Sequence, residues 1–285
     1  MQTRAPRGEC AAPRARPRGP LTSGSRGVRT AVRRGGVYGG LVAVPPVVFL
    51  FRDESLVVVD KPAGLVCHRT ELAPDRDVVM TRVRDALGAY VYPVHRLDRG
   101  TSGALVFALS PAIAARLRVA FDEGRVAKTY LALARGHAPE RGTVDYAIPK
   151  AEDSPVRVAA ITEIERVGTG DHCSLVAAHP KTGRYHQIWR HLAHLRHPIA
   201  LDSNYGTGWF NRHIRARTGL ARLALHAFEI TFPHPACGED EPRAVRVRAP
   251  VAADLRAALV ALDLGDALAA FEARGAESGR ERSEA

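Results

Sequence analysis

Two short segments of this chain carry residues that could do chemistry together. The first reads His95-Arg96-Leu97-Asp98-Arg99-Gly100-Thr101-Ser102-Gly103; the second, far downstream, reads Lys181-Thr182-Gly183-Arg184-Tyr185-His186-Gln187-Ile188. The first holds one carboxylate, Asp98, between the guanidiniums of Arg96 and Arg99. Opposite charges within ion-pair reach favour an ionised carboxylate, and an ionised carboxylate on a turn can act as a nucleophile or a base. The second offers cationic and amide donors suited to a phosphate or a flat heterocycle: Lys181, Arg184, His186, Gln187 and, just beyond, Arg190. No local motif spans the gap between them, so the spacing predicts a site assembled from distant segments. By charge pattern alone Asp98 could equally be half of a surface ion pair, which is common and weak. The small polar turn Thr101-Ser102-Gly103, which would let a bulky ligand approach the backbone, favours the functional reading.

The elements that must position these residues are mixed. Residues 55–60 form a β-branched run closed by the turn signal Lys61-Pro62-Ala63-Gly64. Residues 105–109 are a second apolar run. Ser110-Pro111 then offers an N-cap followed by proline at the first helical position. Ile113, Leu117, Ala120 and Phe121 share a helical face, and Gly124 marks the stop. Residues 130–134, 173–178 and 225–232 read as strands, and 187–195 as a short helix. Residues 251–264 read as one amphipathic helix with Val251, Leu255, Leu259 and Leu262 in register. Strands and single helices alternate irregularly, without the βαβ rhythm of a doubly wound sheet, so the pattern is α+β. No internal repeat is present.

Composition bounds the rest. The net charge of +11 suggests a nucleic-acid footprint, but its distribution weakens that argument. Residues 1–36 hold nine Arg against the single acid Glu9, whereas residues 272–285 are slightly acidic. The remaining chain is only mildly basic, so nucleic-acid binding must be argued from local patches. Residues 1–45 are rich in Arg, Gly, Pro and Ala without hydrophobic period, and are expected to form a disordered arm. A domain over 46–268 and a charged flexible tail over 269–285 complete the predicted organisation. Cys10, Cys67, Cys173 and Cys237 are scattered, with no C-x-x-C pair, and read as free thiols in a reducing compartment. No metal site is expected; His191, His194 and His197 read as solvent- or RNA-facing histidines rather than a ligand set. The longest apolar stretch, residues 41–51, is broken by Pro45-Pro46 and falls short of the ~20 residues a membrane-spanning helix needs. No continuous apolar signal region is present, so a cytoplasmic protein is expected.

In this order, HRLDRGTSG, KTGRYHQI, HPI and the LHA block followed by His234-Pro235 resemble the RluA-type pseudouridine synthases. The resemblance runs from about Leu56 to Pro250. It includes the first motif at residues 60–68, Lys128-Thr129-Tyr130, and Leu225-His226-Ala227-Phe228. Residues 190–199, with Asn211-Arg212 and Gly219-Leu220, are similar to the subgroup acting at position 65 of tRNA. The resemblance implies the pseudouridine synthase fold: a mixed, largely antiparallel central sheet with surrounding helices and a central catalytic cleft. It implies isomerisation of uridine in RNA without a cofactor; a monomer is expected. The RNA would be tRNA first and rRNA second. Asp98 would be the catalytic aspartate. Tyr130 would be the active-site tyrosine, stacking on uracil and relaying the C5 proton. Arg96 would hold the flipped nucleotide or fill the space it leaves, and Arg99, Thr101, Lys181, Arg184, His186, Gln187 and Arg190 would contact RNA.

Two positions depart from the family. A cation normally follows His-Gln-Ile and pairs with the aspartate, and here Trp189 stands there. Arg190, Arg99 or Arg184 would have to cover the charge, or the protein would be a catalytically weakened RNA binder. Leu201 stands where the family usually has glycine. A carboxylate-dependent glycosidase is the remaining rival, but that chemistry usually needs two carboxylates facing one bond, and no acid partner for Asp98 is evident.

Overall fold

Val57 and Val59 enter one apolar core, while Leu56 and Val58 enter another on the opposite face of the same strand. A strand covered on both faces reads as an unbroken apolar run, and this one does. The structure is a computed structural model and describes residues 47–69, 75, 77–152, 154–206, 208–237 and 243–280. The arm expected over 1–45 lies outside the described residues.

In chain order the elements are β1 (Val48–Arg52), β2 (Leu56–Lys61), α1 (Val79–Leu87), β3 (Tyr92–Pro93), β4 (Ser102–Ala108) and α2 (Pro111–Asp122). Then come β5 (Ala127–Arg135), β6 (Arg141–Asp145), β7 (Ile148–Pro149), β8 (Arg157–Val158), β9 (Ile161–Gly170), β10 (Cys173–Pro180) and α3 (Gln187–His194). The chain continues through α4 (Gly208–Thr218), β11 (Leu225–Pro233), β12 (Ala244–Arg248), α5 (Ala253–Ala261) and α6 (Gly265–Arg280). Ten strands form one sheet in the order β1-β2-β4-β11-β5-β10-β9-β6, with β12 on β11 and β3 on β4; β7 and β8 pair separately. Among the described strands, β4 and β11 make a parallel pair and the other pairs are antiparallel. The mixed, largely antiparallel α+β architecture is the one expected.

Local signals explain several boundaries. Ser110 Oγ accepts from the Ile113 amide, Pro111 opens α2, and Gly124 at φ +72° follows its end. Leu117 and Ala120 are buried beneath it. The helix expected over 251–264 is divided. Asp263 adopts φ +59°, and the Leu264 amide reaches back to the Leu259 carbonyl, closing α5 with a left-handed cap before α6 begins. That cap usually carries glycine, so an aspartate there hid it. Val251, Leu255, Leu259 and Leu262 are nevertheless all buried, as the register required. The boundary drawn after residue 268 falls inside α6, which runs from Gly265 to Arg280. Arg256 pairs with Glu272, and Arg274 with Glu165 on β9, which tie the helix to its neighbours. Strand β9 was not legible in advance, because only Thr162 and Ile164 of its first residues are buried and its outward face is charged.

Candidate active site

The two segments singled out by residue type do converge, at the middle of the sheet. Asp98 lies in the loop entering β4, Tyr130 lies on β5, and β11 runs between these strands. Tyr130 packs against two of the apolar cores at once.

The Asp98 loop is pinned from below by a lysine that the reading of residue types passed over. Lys61 ends β2 and is completely buried. Its ammonium donates to the carbonyls of Pro62 (3.0 Å), Arg99 (3.3 Å) and Thr101 (2.7 Å). The Gly64 amide also donates to Arg99 O, and the Thr101 amide to Asp98 O, closing the turn. Burial lowers the Lys61 pKa from 10.5 to about 8. The sequence signal was there: a lysine at the end of a fully apolar strand, held in place by the following proline.

A consequence can be measured. Lys61→Met should reduce turnover at least ~10-fold, because the carbonyls of Pro62, Arg99 and Thr101 lose their donor, the buried Thr101 carbonyl alone at roughly 1–3 kcal/mol, and the Asp98 turn relaxes. In the native protein, pH should separate stability from activity. Between pH 8 and 10.5 the folded state binds fewer protons at Lys61 than the unfolded chain, so this group's contribution to stability rises with pH. The neutral amine has too few hydrogens for all its carbonyl partners, so turnover should fall across the same window. Turnover and melting temperature measured together from pH 7 to 10 check this; parallel curves would contradict it.

The chain crosses close behind the turn at Gly103. It has φ +111°, and a Cβ there would stand 2.2 Å from the Ala227 carbonyl oxygen. This contact belongs to the β4–β11 parallel pair, where Gly103 faces Ala227. One residue earlier, Ser102 Oγ lies 2.9 Å from His226 Nδ1, and His226 Nε2 lies 3.3 Å from Ala249 O. Burial lowers the His226 pKa to about 4, so the ring is neutral, donating from Nε2 and accepting from the serine. His226 is therefore structural.

The expected contact residues fall into different groups. His186 comes to Asp98: its Nε2 lies 3.9 Å from Asp98 Oδ1. Arg96 and Arg184 are exposed, with Arg184 Nε directed at Ala159 O. Lys181 is exposed and paired with Glu163 at 2.7 Å. Gln187 does not face solvent. Its Oε1 accepts from Thr182 Oγ1 and the Arg184 amide, and its Nε2 donates to Ile161 O and Thr162 Oγ1. Those four bonds exhaust the amide, so Gln187 shapes the loop. Thr101 is likewise buried, and its carbonyl receives Lys61. His191, expected to face solvent or RNA, is fully buried between Thr162 and the Tyr146 carbonyl.

None of the three arginines considered as a replacement cation pairs with Asp98. Arg99 turns to Asp75 (2.7 and 2.9 Å). Arg190 bonds Tyr205 OH and Pro149 O and lies over the Tyr185 and Tyr205 rings. Trp189 lies flat against His186, with ring centroids 4.2 Å apart and planes 9° apart; Tyr185 also stacks on the imidazole at 3.9 Å. Burial lowers the His186 pKa and outweighs the opposing pull of Asp98. Burial, with Asp98 next, pushes the Tyr130 phenol upward, so it stays protonated. Leu201 explains the second departure: it holds φ +61°, the conformation glycine adopts freely, at a cost of roughly 1–2 kcal/mol for a residue with a Cβ.

A carboxylate on a turn held by a buried ammonium, with an imidazole 3.9 Å away and a neutral phenol within its electrostatic reach, can attack carbon or move a proton. Comparison with known proteins agrees with that chemistry. Residues 55–194 match the family model described as RNA pseudouridylate synthase. The tRNA pseudouridine synthase C of Yersinia pestis is 42% identical over 212 residues, covering 67% of this chain and 82% of that protein. The protein of the same name from Vibrio parahaemolyticus is 38% identical over 213 residues, covering 67% and 86%. Among solved structures, human RNA Pseudouridylate Synthase Domain Containing 4 superimposes with a TM-score of 0.63 at 25% identity, covering 76% of this chain and 93% of that one. With its motif blocks in family order around this site, the chain belongs to the RluA-type RNA pseudouridylate synthases.

Proposed function

We propose that this enzyme converts a uridine of tRNA to pseudouridine with Asp98 as its catalytic carboxylate. The observation that carries the reading is the placement of Asp98. Its side chain is 27% exposed, on a turn whose carbonyls are held by Lys61, beside Tyr130 and His186. Asp98 attacks the sugar or the base, or removes a sugar proton, and so opens the N-glycosidic bond; uracil then turns in the pocket and bonds to the same sugar carbon through C5. Tyr130, held protonated, supports the uracil face and donates a hydrogen bond. A base in a stem must first leave its stack, which costs a few kcal/mol. Arg96, exposed beside Asp98 in sequence, holds the flipped nucleotide or fills the gap it leaves. Lys181 and Arg184 meet phosphates on either side.

The subgroup blocks around residues 190–220 favour position 65 of tRNA over an rRNA site. The same reading makes the protein a cytoplasmic monomer; no helix among the described residues is long and apolar enough to cross a membrane. Pseudouridine mapping of tRNA and rRNA from cells with and without the gene tests target and activity together. A pseudouridine lost from tRNA and restored by the wild-type gene is the expected result. Loss from rRNA alone would reassign the substrate, and no loss anywhere would remove the proposal.

A further inference from the structure

We propose that His186 is the base that takes the proton from uracil C5 in the last step of the isomerisation, with Asp98 beside it to stabilise the imidazolium that forms. This rests on the assignment of Asp98 made above. When C5 has bonded to the sugar carbon it carries both that bond and its hydrogen. The C5–H bond then breaks and its electron pair becomes the C5=C6 bond. The C6=N1 pair moves to N1, which takes up a proton. The proton lost at C5 balances the one gained at N1, and no oxidant or reductant is involved, but an acceptor must stand at C5.

The other groups near Asp98 are poor acceptors. The Tyr130 phenol stays protonated in its buried position. The Lys61 ammonium is enclosed by three carbonyls. Cys67 Sγ is bound to the Leu97 backbone through both its carbonyl and its amide, and burial raises its pKa. Asp98 is released from the sugar or the base once C5 has bonded, and in this assignment it is the counter-ion of the imidazolium rather than the acceptor. His68 is a second imidazole whose Nδ1 is also buried without a partner, but the charged group that reaches it is Arg96, whereas His186 is the imidazole that faces Asp98.

His186 differs from six of the other interior histidines. His95, His179, His191, His197, His226 and His234 each use a ring nitrogen in a hydrogen bond within the fold. Neither nitrogen of His186 does so among the described residues: Nδ1 is buried without a partner, and Nε2 faces Asp98 at 3.9 Å. The ring is clamped between Tyr185 and Trp189, and its backbone sits at φ 52°, an uncommon conformation for a residue with a Cβ. Strain of this kind persists where the surroundings over-determine a side chain's position, and it clusters at active sites. Trp189 thus acts as a positioning residue, a flat wall that orients the imidazole. The groups facing His186 are Asp98 from the loop before β4, Asp202 from the loop after α3, Glu152 from the β7–β8 turn, Arg190 on α3, and the rings of Tyr185 and Tyr205. The acids favour its protonation and Arg190 opposes it, but burial is the largest influence and lowers its pKa. The resting ring is neutral with a lone pair available, and once protonated it has a carboxylate beside it.

The test uses tRNA carrying uridine with deuterium at C5, single-turnover rates, and the full-length protein. His186→Asn and His186→Gly both tolerate the left-handed backbone. His186→Asn should be slowed by about 100-fold or more, the scale of a lost general base. Its C5 isotope effect should exceed that of the wild type, because deprotonation becomes limiting. Added imidazole should partly restore His186→Gly, with rates that track the buffer's basicity. In the wild type the isotope effect should grow as pH falls, as His186 becomes protonated. A His186→Asn rate within about threefold of wild type, or a slow variant with an unchanged isotope effect and no rescue, overturns the proposal. If wild type forms pseudouridine and Asp98→Asn does not, either of those results counts against His186 alone; full activity of Asp98→Asn would instead overturn the underlying assignment.

Discussion

Asp98→Asn is expected to eliminate pseudouridine formation, with a loss of about 10³-fold or more in single-turnover rate. The amide is nearly the same size but is a poor nucleophile and a poor base. The substitution should leave the fold alone. The carboxylate's ion-pair contact among the described residues is the long 3.9 Å approach to His186, and the turn is held by backbone carbonyls and Lys61 rather than by the Asp98 side chain. The stability change should therefore stay within about 0.5 kcal/mol, as for most partly exposed positions without a special role. Mass spectrometry of the tRNA with a thermal melt of the protein checks both halves. Turnover within tenfold of wild type would remove Asp98 from the centre of the mechanism.

Gly103→Ala should act in the opposite way, through the fold first. At φ +111° a side chain is strained before any contact is made, and the new Cβ would meet Ala227 O at 2.2 Å, Ala227 C at 2.7 Å and Ala227 N at 2.8 Å. All three are backbone atoms in the centre of the sheet, so no side chain can swing away to relieve the clash. A loss of about 3 kcal/mol or more is expected, which for a domain of this size lowers the melting temperature by roughly 6–12 °C. Turnover should fall as well, because β11 separates the Asp98 loop from Tyr130, and forcing β4 and β11 apart moves one against the other. A melting temperature within about 2 °C of wild type would mean the strands separate at little cost, contrary to the packing argument.

Much of the fold was legible because its signals are local. The Ser110-Pro111 start of α2, the apolar strand β2 and the register of Leu255, Leu259 and Leu262 follow from capping, β-branching and periodicity within a dozen residues. The failures were local as well. A left-handed cap at Asp263 instead of glycine divided an apparently continuous helix, and the half-charged β9 gave too weak an alternation to read.

By itself the sequence determined the order of the motif blocks and the family, because residue types and their spacing carry that information directly. It also marked Trp189 and Leu201 as departures. Only the tertiary structure decided which polar residues are available for chemistry. Gln187, Thr101 and His191 are polar residues in promising segments, yet the fold encloses them and occupies Gln187 and His191 with hydrogen bonds from β9 and the surrounding loops. Arg99, Arg184 and Arg190 each found another partner than Asp98, while His186 was brought to it. The physical reason is that a buried polar group must be paired, and its partners come from segments far away in the chain. Which donor is spent on the fold, and which remains free for a substrate, is settled when those segments meet.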